Sequence, residues 1–398
     1  AYGLVASAGA IAVAAGPLIG GLFTTYLSWR LVFAGEVLMV AAILALTRRM
    51  AEAVPETRVR LDLVGTALSA LGLGLIVFGI LRTGEWGFVQ PKPSAPDWLG
   101  LSPSIWLMLA GGVVLWVFMV WENRQVARGA EPLINPAVLE NPLLRGGLTA
   151  FFFQYLLQAG LFFAVPLFLS VALGLSAIAT GVRLLPLSIT LLLAAAGIPK
   201  AFPNASPRRV VQVGVLALFA GIVVMVAALD AGAGPEIVTW PMLLAGLGIG
   251  ALASQLGAVT VSSVPDEQSS EVGGLQNTGT NLGASIGTAL AGAILISTLT
   301  TSFLSGIEQN PDVPAEVTAN ATVELADGIP FVSDADLQTA LDEAGVPPAT
   351  ADAIVDENAT ARLDALRASL SVLALIALIA LFFTRRIPTQ QPASMTAA

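Results

Sequence analysis

The feature that most constrains this chain is a series of long apolar runs that contain no charged residue. Residues 146–182 and residues 1–29 are two such runs. A helix needs about 20 mostly apolar residues to cross the hydrocarbon core of a bilayer. Only 11% of the residues are charged, whereas soluble domains average about 25%. The runs exceed what one buried core can hold, and they predict helices that lie in lipid.

Charged residues at the ends of the apolar runs divide the chain into ten predicted transmembrane helices. The longest run is divided at the sequence ALGLSA (172–177), because a single helix of that length is too long for the bilayer. We therefore predict an all-α membrane protein, a polytopic helical bundle with ten spans. The spans are residues 2–26, 31–47, 63–81, 102–121, 147–170, 177–198, 210–229, 238–260, 272–298 and 368–384.

The distribution of basic residues predicts the orientation of these spans. Cytoplasmic loops of membrane proteins carry an excess of Lys and Arg. If residue 1 lies inside, twelve of the 18 basic residues fall in inner segments. The inner loop 264–271 is the exception, since it has no base. The bias predicts a multi-pass protein of the cell membrane with both ends of this chain in the cytoplasm.

One outer loop, residues 299–366, differs from the rest of the chain because it is acidic. Residues 308–364 hold thirteen of the 27 acidic residues. Ser333 followed three residues later by Asp336 is typical of a helix start. We expect a small, mobile helical cap on the outer face, which is either a solvated decoration or a gate for substrate.

Several function classes are excluded by what the sequence lacks. It has no Cys and no His, which removes thiol and imidazole chemistry. We find no phosphate-binding loop of the Walker type, no nucleophile elbow and no metal-ligand spacing. The sequence predicts a protein that is not an enzyme, uses no cofactor or metal, and binds no nucleic acid.

The first span contains the sequence AVAAGPLIGG (12–21), with Gly16, Gly20 and Gly21 around Pro17. Small residues let helix backbones approach closely in a membrane, and Pro17 cannot donate a backbone hydrogen bond to Val13. The pattern fits a tight packing seam with a kink. It equally fits a bend that a transport mechanism uses.

These residues, together with Trp29 and Arg30 eight residues later, resemble the major facilitator superfamily. The resemblance is greatest to drug:proton antiporters with fourteen spans, whose fifth span carries G-x-x-x-G-P-x-x-G-G. Ala12 takes the place of the first Gly. The sequence RLDLVG (60–65), with Asp62 and Gly65, resembles the R-x-D-x-x-G start of a later span, and EWGF (85–88) resembles the outer loop that follows it. Two departures are Glu36, where the family has Asn, and Leu38, where it has Pro.

The resemblance implies a division of the chain. Residues 1–47 would be the last two helices of the N-terminal bundle, and residues 48–145 would hold two extra linking helices. Residues 146–398 would form the C-terminal six-helix bundle. Four further spans are expected upstream, which would make this chain a fragment.

The resemblance also implies a function, which is proton-coupled export of hydrophobic or amphiphilic drugs or metabolites. The expected partners are a small-molecule substrate, protons and membrane lipid, with the oligomeric state left open. Two alternatives remain at this point. One is a dedicated exporter of a single endogenous metabolite, and the other is a membrane scaffold or receptor that transports nothing.

Glu36 is the most unusual residue within a span, because an ionised carboxyl is costly there. We expect it to be buried toward protein or water, with a raised pKa that lets it exchange protons. It is the proton-coupling candidate, although it could instead bond a neighbouring helix as a neutral acid. Arg183 must snorkel outward, pair with an acid or face a cavity.

Two pairs of amide side chains stand four residues apart on predicted helices. Gln154 and Gln158 share one helix face, as do Asn277 and Asn281. Such faces suit a cavity for amphiphilic molecules, or they provide hydrogen bonds between helices. The cavity candidates are therefore these four residues and Arg183. Gly279, Gly283 and Gly287 form a ridge beside the Asn pair that we interpret as a packing surface.

Overall fold

A computed structural model describes residues 18–48, 61–92, 95–230, 232–265, 268–325 and 329–390, together with Ala12 and Gly16. Within these ranges nine helices are long and apolar enough to cross a membrane, and each matches a predicted span. The tenth predicted span, 2–26, lies largely outside the described residues, and its last part is the helix α1. The predicted all-α membrane fold is confirmed, since the described residues contain no β-strand and only one isolated bridge, between Trp98 and Leu101.

The helices follow one another with short connections. Their bounds are α1 (18–26), α2 (Arg30–Thr47), α3 (Leu63–Leu81), α4 (Thr83–Trp86), α5 (Pro103–Ala127), α6 (Pro142–Leu167), α7 (Ala177–Ala201), α8 (Pro207–Ala228), α9 (Thr239–Val261), α10 (Ser269–Gln309), α11 (Ala315–Glu324), α12 (Asp334–Glu343) and α13 (Pro348–Phe383).

Local sequence signals explain where the helices begin and end. The side chain of Asn141 accepts hydrogen bonds from the amides of Leu143 and Leu144 at the start of α6. A side-chain acceptor of this kind satisfies amides that have no partner within the helix. The predicted break at 172–177 is also confirmed, because Gly174 takes a positive φ of 62° and Ser176 then caps α7.

Helices α6, α7, α8, α9, α10 and α13 pack around one another, whereas α3 pairs with α5 and also touches α10. Glycines set the closest approaches inside this bundle. A Cβ on Gly287 of α10 would lie 2.8 Å from the carbonyl carbon of Leu156 on α6. On α9, a Cβ at Gly250 would lie 2.8 Å from the Cβ of Ala194 on α7. The packing interpretation of Gly283 and Gly287 is confirmed, since both face the α6 backbone.

The acidic outer segment is helical, as the sequence predicts. The short helices α11 and α12 lie within it, and α10 and α13 extend into it beyond the predicted spans. The side chain of Arg362 is only 2% exposed. It forms an ion pair with Asp334 and donates a hydrogen bond to the carbonyl of Val332 at 2.7 Å. These contacts hold residues 329–333, which we name the outer strap, against α13.

Replacing Gly287 with Ala tests the glycine packing of α10 on α6. The new methyl group meets backbone atoms that cannot rotate away, so we expect a loss of about 1–3 kcal/mol of stability. Thermal unfolding of the detergent-purified protein measures this loss.

Gly274→Ala is the matched control on the same helix, because a Cβ at Gly274 has nothing within 4 Å. We expect it to keep or raise the unfolding temperature. Equal unfolding temperatures for the two variants would contradict the packing described here.

Replacing Arg362 with Met tests the anchor of the outer strap. The variant removes the ion pair with Asp334 and the donor to Val332, so the strap is expected to leave α13 more often. Limited proteolysis should cut the strap faster, while the unfolding temperature of the bundle changes little. Arg367→Met is the control, because Arg367 bonds Asp364 and the carbonyl of Leu229 instead. Equal cleavage rates in the two variants would show that Arg362 does not anchor the strap.

Candidate functional site

The end of α1 touches the start of α7 at a close contact between backbones. Gly21 is buried there, and a Cβ on it would lie 2.7 Å from the carbonyl oxygen of Ala177 and 2.8 Å from the Cα of Ile178. The hydroxyl of Thr25 accepts a hydrogen bond from the amide of Ile178 at 3.2 Å. We name these residues the α1–α7 contact. Only a glycine fits at position 21 in this arrangement.

The other residues of the glycine motif do not share this contact. Among the described residues, nothing lies within 4 Å of where a Cβ on Gly16 or Gly20 would stand. Ala12 is exposed, and Pro17 lies outside the described residues. At Gly21 the α7 backbone occupies the place of a side chain, and the groove-clearing role of the motif stays a prediction.

The start of α2 carries an exposed aromatic and cationic group. The guanidinium of Arg30 lies 4.9 Å from the ring centroid of Trp29, which also meets the ring of Phe33 edge to face. Such a cation–π contact is worth little when exposed. Glu36 is likewise exposed, since α2 buries none of its side chains. The expected burial of Glu36 is wrong for the described residues, because no other described element covers this helix.

The predicted motif at the start of α3 has a clear local structure. The carboxylate of Asp62 accepts hydrogen bonds from the amide of Gly65 at 2.9 Å and from the indole of Trp121 at 2.8 Å. Burial tends to raise the pKa of Asp62, but these hydrogen bonds outweigh it and keep that pKa below its usual value. Asp62 is thus the ionised cap of α3, and the indole joins α3 to α5.

Sequence reasoning missed the acid that lies beside this cap. Glu122, near the end of α5, is fully buried, and its Oε2 accepts a hydrogen bond from the amide of Ile134 at 3.3 Å. The neighbouring Glu271 of α10 accepts one from the amide of Asn135. Both carboxyls fasten the connection between α5 and α6. A signal was present, because Glu122 directly follows the apolar run 102–121.

The structure does not bring the five predicted cavity residues together. Gln154 is buried, its Oε1 has no partner, and it lines a small internal cavity between α6, α8, α9 and α13. Gln158 does not line that cavity, and Arg183 is half-buried on α7. Asn277 and Asn281 are exposed on α10, on the side away from the packing glycines, and Asn281 donates to the carbonyl of Asn277.

In the part of the chain that the structure describes, nine long apolar helices, several of which interlock through glycines, define a polytopic α-helical membrane protein. The sequence profile of the Major Facilitator Superfamily matches residues 1–288. The chain belongs to this superfamily of membrane transporters. The resemblance found in its motifs is thereby confirmed at the level of the family.

Named relatives come from bacteria. The tetracenomycin C resistance and export protein of Streptomyces glaucescens is 30% identical over 290 residues, which cover 71% of this chain and 50% of the relative. The multidrug efflux pump LfrA of Mycolicibacterium smegmatis is 26% identical over 383 residues, which cover 94% of this chain and 69% of LfrA. This chain spans about half the length of the first curated relatives that it matches.

Among solved structures, an inward-facing, unoccupied bacterial homolog of the human lysosomal transporter Spinster resembles this chain with a TM-score of 0.44 and 17% identity. The match covers 81% of this chain and 68% of the other.

Replacing Gly21 with Ala tests the α1–α7 contact. The methyl group would collide with the backbone of Ala177 and Ile178, so the two helix ends should separate. Because the sequence has no native Cys, cysteines placed at Thr25 and Ile178 report their proximity by disulfide formation. We expect a high yield with Gly21 present and a several-fold lower yield in the Gly21→Ala background.

Gly20→Ala serves as the matched control, since the space around Gly20 is open. Its disulfide yield should equal that of the parent. A Gly21→Ala yield as high as that of the control would show that the contact does not form.

Proposed function

We propose that the protein containing this chain is a secondary active transporter that exports hydrophobic or amphiphilic compounds across the cell membrane in exchange for protons. Family membership supports transport, and the names of two relatives, an export protein and an efflux pump, support the outward direction. The observation that carries the mechanism is the α1–α7 contact. It joins a motif resembling that of antiporters to a helix of another bundle.

The proposed division of the chain is the one that the family resemblance implies, and the α1–α7 contact is consistent with it. Residues 1–47 end an N-terminal bundle, residues 48–145 hold the linking helices α3 and α5, and residues 146–398 form the C-terminal bundle. With both ends of the chain in the cytoplasm, the α1–α7 contact lies at the outer side. Transporters built from two halves expose a central site to each side in turn. The contact therefore closes the outer side in this conformation and must break when the site opens outward.

The proposed path of the transported compound is bordered by polar residues at exposed or half-buried positions. Asn277 and Asn281 lie on a face of α10 that no described helix covers, and Arg183 is half-buried on α7 below the contact. A few amides and one cation beside apolar surface suit ligands that are mostly apolar with one polar end. We propose that this face borders the transported compound, whereas Gln154 stabilises the interior of the C-terminal bundle.

Glu36 is the proposed proton carrier within this chain. It is the only acid inside the described part of α2, and an exposed position on one helix allows it to face water in one conformation and protein in another. Proton exchange by a carboxyl requires such a change of surroundings. Loss of the negative charge should therefore uncouple transport from the proton gradient.

A second candidate function is export of one endogenous compound. It is favoured by relatives whose names specify single compounds, namely the tetracenomycin C resistance and export protein and the probable actinorhodin transporter of Streptomyces coelicolor. Efflux of one structural class and no other would distinguish this function from multidrug export.

Dye efflux from cells that express the full-length gene product tests the proposal. We expect faster loss of preloaded lipophilic cations than in cells with an empty vector, and abolition of the difference by an uncoupler that collapses the proton gradient. Glu36→Gln should lower gradient-driven efflux at least tenfold, because the amide cannot carry a proton.

Glu140→Gln is the control, since Glu140 is an exposed acid in the connection between α5 and α6. It should transport as the parent does. Unchanged efflux and pH dependence in Glu36→Gln would remove Glu36 from the mechanism. No efflux of any of several lipophilic compounds would contradict multidrug export.

A further inference from the structure

A pair of acidic side chains lies at the end of the α3–α5 hairpin, outside the proposed transport path. Asp62 stands directly before α3, and Glu122 stands near the end of α5. Their exposed fractions are 9% and 0%. Burying an ionised carboxyl inside a membrane protein costs considerable free energy. Two adjacent buried acids therefore need a physical explanation.

The two carboxyls converge on one glycine. A Cβ built on Gly65 would collide with Oε1 of Glu122 and would come within 2.5 Å of Oδ2 of Asp62. Both oxygens therefore lie against the same side of Gly65. This explains why the motif that starts α3 pairs an Asp with a Gly three residues later. The Asp caps the amide of the Gly, and the missing side chain leaves room for Glu122.

The hydrogen bonds that these two carboxyls receive come from N–H groups. Asp62 accepts from the amide of Gly65 and the indole of Trp121, and Oε2 of Glu122 accepts from the amide of Ile134. Oε1 of Glu122 is fully enclosed, and no group among the described residues donates a hydrogen bond to it. Among the described residues, no Lys or Arg forms an ion pair with either carboxyl. One oxygen of the pair is therefore left without a hydrogen-bond donor in the described structure.

Charge and hydrogen bonding together indicate that a proton satisfies this oxygen. Two adjacent carboxylates in a buried site do not both stay ionised, and an unpaired buried acceptor costs about 1–3 kcal/mol. A proton on Oε1 of Glu122 resolves both problems, because the O–H can donate to the carboxylate of Asp62. A bound metal cation would need several further oxygen ligands, whereas the donors around this pair are N–H groups.

We propose that Asp62 and Glu122 form a proton-binding pair in which Glu122 carries the shared proton. The pair joins α3, α5 and the connection 130–141 into one unit. The charged residues nearby favour the protonated form of Glu122. Glu271 of α10, which accepts a hydrogen bond from the amide of Asn135, adds a further acid. Arg124 on α5 is exposed. Loss of the proton leaves two facing carboxylates, which weakens the contact between α3 and α5.

Infrared spectroscopy of the purified full-length protein in lipid nanodiscs tests the assignment without any transport assay. Titration from pH 5 to pH 9 should show a protonated-carboxyl C=O band that persists at neutral pH and disappears on the alkaline side. Glu122→Gln should lose this band. Asp62→Asn should move its disappearance to lower pH by about one unit or more, because the neutral amide no longer repels the Glu122 carboxylate. Glu140→Gln, an exposed acid on the same connection, should leave the band unchanged.

Thermal unfolding provides the second readout. The pair binds a proton in the folded protein that an unfolded Glu releases, so its stabilising effect is complete at acid pH and is lost as pH rises. The unfolding temperature of the parent should fall toward pH 9, and that of Glu122→Gln should fall less, since the amide keeps donors toward Asp62. A band that is absent in the parent, or unchanged in Glu122→Gln, would overturn the proposal. Displacement of the band by sodium at constant pH would also overturn it and assign the site to a cation.

Discussion

Close backbone packing at glycines is the interaction on which the structure depends. Lipid is as apolar as the side chains, so moving a side chain from lipid into a helix interface gains little free energy. Helices in a membrane therefore associate through van der Waals contact and a few hydrogen bonds. Gly287 of α10 against Leu156 of α6, and Gly250 of α9 against α7, supply this contact within the C-terminal helices. At these contacts there is no room for an added methyl group, so the glycines set the spacing of the helices.

The contact between α1 and α7 also depends on close backbone packing at a glycine, but it involves far fewer residues. A single glycine, Gly21, and one hydrogen bond from the amide of Ile178 to Thr25 join these helices. An extended interface with several glycines keeps helices together, whereas a contact of a few residues can form and break at a modest cost in free energy. In the proposed mechanism, this difference in extent lets one set of residues build a stable body and another act as a gate between two bodies.

Local signals in the sequence predicted most of the fold. Nine spans, the break at 172–177 and the capping of α12 by Ser333 follow from apolar runs and from side chains that bond amides a few residues away. The candidate site was less predictable, because spacing shows which residues share a helix face but not what that face meets. Gln154 thus turned inward while Asn277 faced outward, and the burial of Glu122 depends on a connection that folds back on α5.

The most direct test of the account is the distance between spin labels at Tyr26 and Val182, exposed positions beside the α1–α7 contact, measured by pulsed electron resonance in nanodiscs. Labels at Ser170, in the turn that follows α6, and at Thr301 on α10 report on the C-terminal bundle. A change of pH or addition of a transported compound should give the first pair two distances, one short and one long, and should leave the second pair with one. A single unchanged distance for both pairs under all conditions would contradict an outer gate at this contact.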